Sequence, residues 1–218
     1  MKKLTMLLMA TLFIFGLAAC GGDDNGDDNG NDNGDNGNDV VLDQALEAAF
    51  EGIGTDRPVY LTTIGQTEDV DILWNVFGQV FDNTDERNET VTRDSLLVAA
   101  DVEAGALVLI APGASSKGMG AAGVDQASEI ARANAFTARA ANEEITVILI
   151  HSGGMQRRGT LSDPMIEAVA SEAALMLVLN SGNDDLFFNG LHDTLGAPLY
   201  LFSNNPSLVD PLKQLFDK

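Results

Sequence analysis

The chain has 218 residues, 33 acidic against 12 basic, for a formal charge of −21, and 45% of it is hydrophobic. That charge excludes nucleic acid and anionic lipid surfaces as natural partners of the folded part, since both would be repelled. Cys20 is the only cysteine, which leaves a folded domain no disulfide, thiolate metal site or cysteine nucleophile. The two histidines, His151 and His192, stand far apart in the chain, so no metal site is expected.

Residues 1–19 read as a secretory signal. Lys2 and Lys3 precede an apolar run from Leu4 to Ala18 that is too short to serve as a membrane span. The run ends in Leu17-Ala18-Ala19-Cys20, which resembles the lipobox of bacterial lipoproteins and implies cleavage before a lipid-modified Cys20. The alternative is a plain secreted protein whose signal ends beside a cysteine. Acyl chains contribute about 0.8 kcal/mol per buried CH₂, so several together hold firmly. Residues 21–39 are Gly, Asp and Asn only. With nothing apolar to offset ordering entropy, residues 20–39 are expected to form a solvated tether, about 25 Å in span as a flexible coil. An EF-hand would need a glutamate six positions after Gly34, where Val40 stands, so a spacer is the reading preferred to a calcium loop. The address expected is the cell envelope, outside the cytoplasm, with the membrane reached through the lipid.

Val40 to Lys218 is left as one domain. Setting aside Lys2, Lys3 and the seven tether aspartates leaves ten cations against 26 acids there, a charge of −16. Apolar runs of strand length recur along it: 59–64, 106–111, 145–150, 174–179 and 198–202, with a short strand expected near 89–93. Between them the pattern turns helical. Thr67 is placed to cap a helix carrying Val70, Leu73, Trp74 and Phe77, with Trp74, Phe77 and Phe136 read as core aromatics. Residues 82–90 read as a polar connection and 96–104 as a short helix. A long helix is expected from Val124 to Asn142, another from Asp163-Pro164, a short one over 184–193 and a closing one over 207–216.

Strand runs without alternation mean burial on both faces, and alternation with helices means a parallel sheet covered on both sides. The expected fold is therefore α/β: a single doubly wound α/β/α sandwich with a mostly parallel sheet of five or six strands, flavodoxin- or Rossmann-like. Ligands of such sheets bind outside the carboxyl ends of the strands, where strand order reverses. In a 2-1-3-4-5 order that crevice lies between the first and third strands. The loops there are G-Q-T-E-D from Gly65 and G-A-S-S-K-G-M-G from Gly113, with H-S-G-G-M-Q-R-R-G from His151 beside them. Three of the domain's ten cations, Lys117, Arg157 and Arg158, fall in these loops.

I-G-Q-T-E-D at 64–69, S-S-K-G-M-G-A-A-G at 115–123 and H-S-G-G-M-Q-R-R-G-T-L-S-D at 151–163 together resemble the domain of unknown function 6305 family, over roughly residues 58–204. The resemblance implies an extracytoplasmic bacterial protein without an assigned activity. It singles out Gly65, Gln66, Ser115, Ser116, Lys117, Gly118, Gly120, His151, Gly153, Gly154, Arg157, Arg158, Gly159, Ser162 and Asp163, and it supplies no mechanism.

Gly118-Met119-Gly120-Ala121-Ala122-Gly123 matches a dinucleotide fingerprint, but it does not open the first βαβ unit, and the next strand ends in His151 rather than an acid. Lys117 precedes the glycines, so no phosphate-loop lysine follows them. No cofactor is expected. Arg157 and Arg158, being adjacent, point apart in most backbones, so one is free for an anionic ligand while the other pairs with an acid such as Asp163 or Glu167.

The reading that follows is a lipid-anchored binding protein for a small anionic or polar metabolite, working with a transporter or sensor protein. In it Ser115, Ser116 and the amides of Gly118 to Gly120 cradle the anion, Lys117 and Arg157 or Arg158 supply charge, and Gln66 and His151 orient the rest. Gly65, Gly153, Gly154 and Ser162 complete the candidate set. The alternative is an extracytoplasmic hydrolase with His151 as base and Ser116 as nucleophile, although no G-x-S-x-G elbow is present. A third reading is an interaction module at the cell surface.

Overall fold

Each apolar run forms a strand: β1 Val59–Ile64, β2 Val91–Arg93, β3 Leu107–Pro112, β4 Thr146–His151, β5 Ala173–Leu179 and β6 Leu199–Phe202. The computed structural model describes residues 56–218 together with Leu46, Ala49, Phe50 and Ile53, within the unit that spans residues 36–218. The expected signal, Cys20 and the tether lie outside the described residues. All strand pairs are parallel, in the order β2-β1-β3-β4-β5-β6, with Val59 level with Leu107 and Leu107 level with Thr146. The order reverses between β1 and β3.

The helices are α1 Asp69–Val80, α2 Thr84–Thr90, α3 Ser116–Ala122, α4 Gln126–Ala141, α5 Asp163–Ala170, α6 Phe187–Leu195 and α7 Val209–Leu215. The strands are buried on both faces because successive side chains feed different layers. Leu61, Leu109 and Ile148 meet Leu73, Phe77 and Leu212 of α1 and α7 on one side. Tyr60, Val108 and Leu149 meet Phe136, Ile166 and Phe188 of α4, α5 and α6 on the other. Burying one such side chain contributes about 1.5–3 kcal/mol, so the sandwich is held by these two sets rather than by helix propensity. In α1 the buried positions Val70, Leu73, Val76, Phe77 and Val80 follow the helical period, and Phe77 meets Phe216 edge-on at 5.7 Å. This is a six-stranded, doubly wound α/β sandwich.

Four local readings of the sequence change. Residues 82–90 contain α2, a helix that buries nothing and is carried by its cap, the Asn83 side chain accepting from the Glu86 amide at 2.9 Å. The helix expected over 96–104 is only a 3₁₀ turn, Ala99–Asp101. The carbonyls of that stretch turn outward to α4: Arg132 donates to Leu97 O, and Arg139 to Ala99 O and Val102 O. The Gly/Ser loop after β3 holds α3, so the long helix begins at Gln126 rather than Val124, on an Asp125–Ser128 capping box. The helix expected over 184–193 runs instead over Phe187–Leu195.

Candidate functional site

The loops after β1, β3 and β4 meet at the carboxyl edge of the sheet, and the first two meet through bare main chain. Gly65 (φ +92°) lies against Gly113, so closely that a Cβ on Gly65 would stand 1.9 Å from the Gly113 carbonyl oxygen. Gly118 lies against the Gln66 carbonyl in the same way, at 2.1 Å. The Ser115 amide donates to Gly65 O, fastening the β3 loop across the β1 turn. These glycines are required by backbone approach, and Gly65 by its left-handed φ as well.

The serines of the loop serve the helix that follows. Ser115 caps α3, its Oγ accepting from the Gly118 amide at 3.0 Å, and its carbonyl takes the Met119 amide. Those amides are therefore occupied within the chain. Ser116 and Lys117 are exposed in the first turn of α3, and the Lys117 ammonium has no ion pair or hydrogen bond among the described residues. Gly120 has open space around it.

The β1 turn is held from behind by an acid that inspection of the sequence passed over. Glu129, in the first turn of α4, is 1% exposed. Its Oε2 accepts from the Gly65 amide at 2.6 Å, Gln66 Nε2 at 3.2 Å and Arg132 Nη2 at 2.7 Å, and its Oε1 accepts from Arg132 Nε at 3.0 Å. Burial alone would raise its pKa, but the Arg132 and Gly65 donors outweigh burial and hold it below the usual carboxylate value. Gln66, at φ +56°, also donates to Ser95 O, so its side chain serves the latch and not an open site. The E-x-x-R spacing at 129–132 was the available signal.

His151 ends β4 with no exposed surface. Its Nε2 stands 3.1 Å from Gly154 O and its Nδ1 3.4 Å from Pro112 O, with the ring 5.2 Å from Phe188. Burial lowers its pKa and keeps the ring neutral, able to donate through one nitrogen only. Arg158 is spent next to it. It donates to Asp163 at 2.8 Å, Gly182 O at 2.8 Å and Asp185 at 3.2 Å, and its guanidinium lies 3.7 Å over the Phe187 ring. Burial pulls the Arg158 pKa down, and the two carboxylates more than reverse that. Ser162 Oγ accepts from the Ala114 amide at 3.0 Å, and Gly154 (φ +61°) fits against Ser181, so both are scaffold positions.

Arg157 stands differently. Its stem crosses Gly153, where a Cβ would lie 2.0 Å from Arg157 Cγ, and it flanks Gly113. Its side chain is 30% exposed and makes one long ion pair, Nε to Asp69 Oδ1 at 3.7 Å. Asp69, the first residue of α1, is 1% exposed, and neither of its carboxylate oxygens has a hydrogen-bond partner. Burial raises its pKa, more than the Arg157 charge and the Thr67 hydroxyl lower it. The rim thus brings together Asp69, Gly113, Gly153 and Arg157, with Lys117 on the adjoining α3. It withdraws His151, Arg158, Gln66, Ser115 and Ser162 into supporting contacts.

Among the described residues no three His, Cys, Asp or Glu side chains are grouped to hold a metal ion. A depression of about 450 Å³ opens at the opposite, amino-terminal edge of the sheet, lined by Glu143, Ile145, Thr146, Ala173, Gly196 and Pro198 among others. It shares no residue with the rim and lies away from the switch in strand order where ligands of such sheets bind.

The model of the domain of unknown function 6305 family matches residues 56–216, and the chain belongs to that family. No curated protein and no solved structure matches it.

Proposed function

We propose that this family member is a lipid-anchored extracytoplasmic binding protein that takes a small anionic or polar metabolite at the carboxyl edge of its sheet. The observation that carries the reading is the state of Arg157: 30% exposed and, among the described residues, ion-paired only with Asp69, at 3.7 Å. A guanidinium is a bidentate partner for carboxylate or phosphate, and this one has its fork unspent. Lys117, clear of any pair on the neighbouring helix turn, adds a second positive charge on an otherwise acidic domain. The lipobox-like Leu17-Ala18-Ala19-Cys20 supports the anchor, and the tether after it gives the domain reach for a transporter or sensor partner. The hydrolase alternative is less well supported, because His151 is enclosed and faces carbonyls rather than a serine hydroxyl.

Calorimetric titration of the protein with a panel of small carboxylates, phosphates and amino acids tests this. We expect saturable binding that weakens at least tenfold in Arg157→Ala and by a smaller factor in Lys117→Ala, with both variants folded by circular dichroism. A panel without a single saturable ligand, or an Arg157→Ala protein that binds as the wild type does, refutes it.

A further inference from the structure

The role given to Arg157 leaves Asp69 unexplained. Six buried side-chain atoms lack a hydrogen-bond partner among the described residues; two are the Asp69 oxygens, and another is the hydroxyl of Ser152, itself 2% exposed. Ser152 precedes Gly153, whose missing Cβ would fall 2.8 Å from Asp69 Oδ2. A buried carboxylate normally gathers donors, as Glu129 does, and one without them is costly to keep. The arginine beside it is too far for a hydrogen bond.

A bare anion does not suit this arrangement. Seated on Arg157 it would also approach Asp69, because the two heads are only 3.7 Å apart. The carboxylate would then repel it at nearly the distance from which the guanidinium attracts it. A ligand that brings an ammonium beside its acid group meets both charges with their opposites and leaves the net charge of the site unchanged. An ammonium is a donor only, and Asp69 offers it two unpartnered carboxylate oxygens.

We infer that the occupant is an α-amino acid or a closely similar small amino-carboxylate: its ammonium is taken by Asp69 and its acid group by Arg157. The inference rests on the rim being a binding site, as proposed above. Entry needs only that Arg157 swing outward, which its exposure, its bare Gly153 bed and its one long contact permit. The bound ammonium also relieves the burial that raises the Asp69 pKa.

The test is calorimetric titration of the intact protein at pH 7 with the twenty amino acids. Acetate, propionate, glutarate and 3-phenylpropionate serve as acids that lack the amine. At least one amino acid is expected to bind at least tenfold more tightly than its amine-free counterpart. In Asp69→Asn that advantage should vanish, with the amine-free acid binding more tightly than to wild type because the repelling carboxylate is gone. If the amine-free acids bind wild type as tightly as the amino acids, and Arg157→Ala weakens them, the rim remains a binding site and the inference is overturned. If no amino acid binds, the inference falls, and silence from the carboxylates and phosphates as well takes the proposed function with it. Should Asp69→Asn fail to fold by circular dichroism, the wild-type ratio of amino acid to amine-free acid decides alone.

Discussion

Glu129 and Asp69 are each 1% exposed, each stands in the first turn of its helix, and each has an arginine for a neighbour. Yet one has its pKa lowered and the other raised. Surface exposure is the same in both, so exposure alone does not decide ionisation. Donors do: Glu129 receives a backbone amide, a side-chain amide and two guanidinium contacts, while Asp69 receives no hydrogen bond at all on its oxygens. The first acid is part of the frame. The second lacks donors among the described residues, and the binding role proposed for the rim rests on that difference.

The contrast breaks most visibly at Glu129. Glu129→Ala leaves Arg132 buried without its partner and frees the Gly65 turn, which should cost about 3–5 kcal/mol in urea denaturation. Because folding holds the Glu129 pKa below its ordinary 4.5, its contribution is complete above that value and drains away as pH falls through the lowered folded value. Acid titration of Glu129→Gln should therefore show a flatter stability profile than wild type in that window.

Next in size are two alanines on α3. Gly118→Ala drives a methyl into the Gln66 carbonyl and should cost about 1–3 kcal/mol of stability, whereas Gly120→Ala meets open space and should add roughly 0.5–1 kcal/mol. Equal effects from the two would mean that the β1 and β3 turns are not in contact.

Asp69→Asn gives a small change of the opposite sign to Glu129. Folding raises the Asp69 pKa above 3.8, so its charged form is penalised at neutral pH and the penalty disappears once the group is protonated in both states. The amide should therefore stabilise the unliganded protein at pH 7 by about 1 kcal/mol, the lower end of the cost of an unsatisfied buried group, and the gain should fade toward acid. A loss of stability at pH 7 would show Asp69 to be structural.

The sheet was legible because burial on two faces writes strands as unbroken apolar runs, and a strand order of flavodoxin type puts its crevice at the loops already rich in glycine. Helix α2 was not legible by periodicity, since it buries nothing and stands on its Asn83 cap. Helix α3 was hidden because its glycines count against a helix, while the contact they permit lies between residues 52 apart in sequence, Gln66 and Gly118. The rim's cations were legible as a group. How they divide was not: two adjacent arginines look alike until the fold gives Arg158 two aspartates and Arg157 one distant oxygen. Nothing in the sequence sets Asp69 apart from the other acids, for only packing reveals that it lacks donors among the described residues.

A seam made of main chain against main chain, as at Gly65–Gly113 and Gln66–Gly118, tolerates almost no variation, because any added atom prises it open. Drift is confined to whatever stands clear of it. If the rim binds a ligand as proposed, a lineage that comes to prefer a new molecule has Lys117, Arg157 and Asp69 to exchange and little else on that rim. Changes of preference should then arrive in one or two steps, with the framework beneath them untouched.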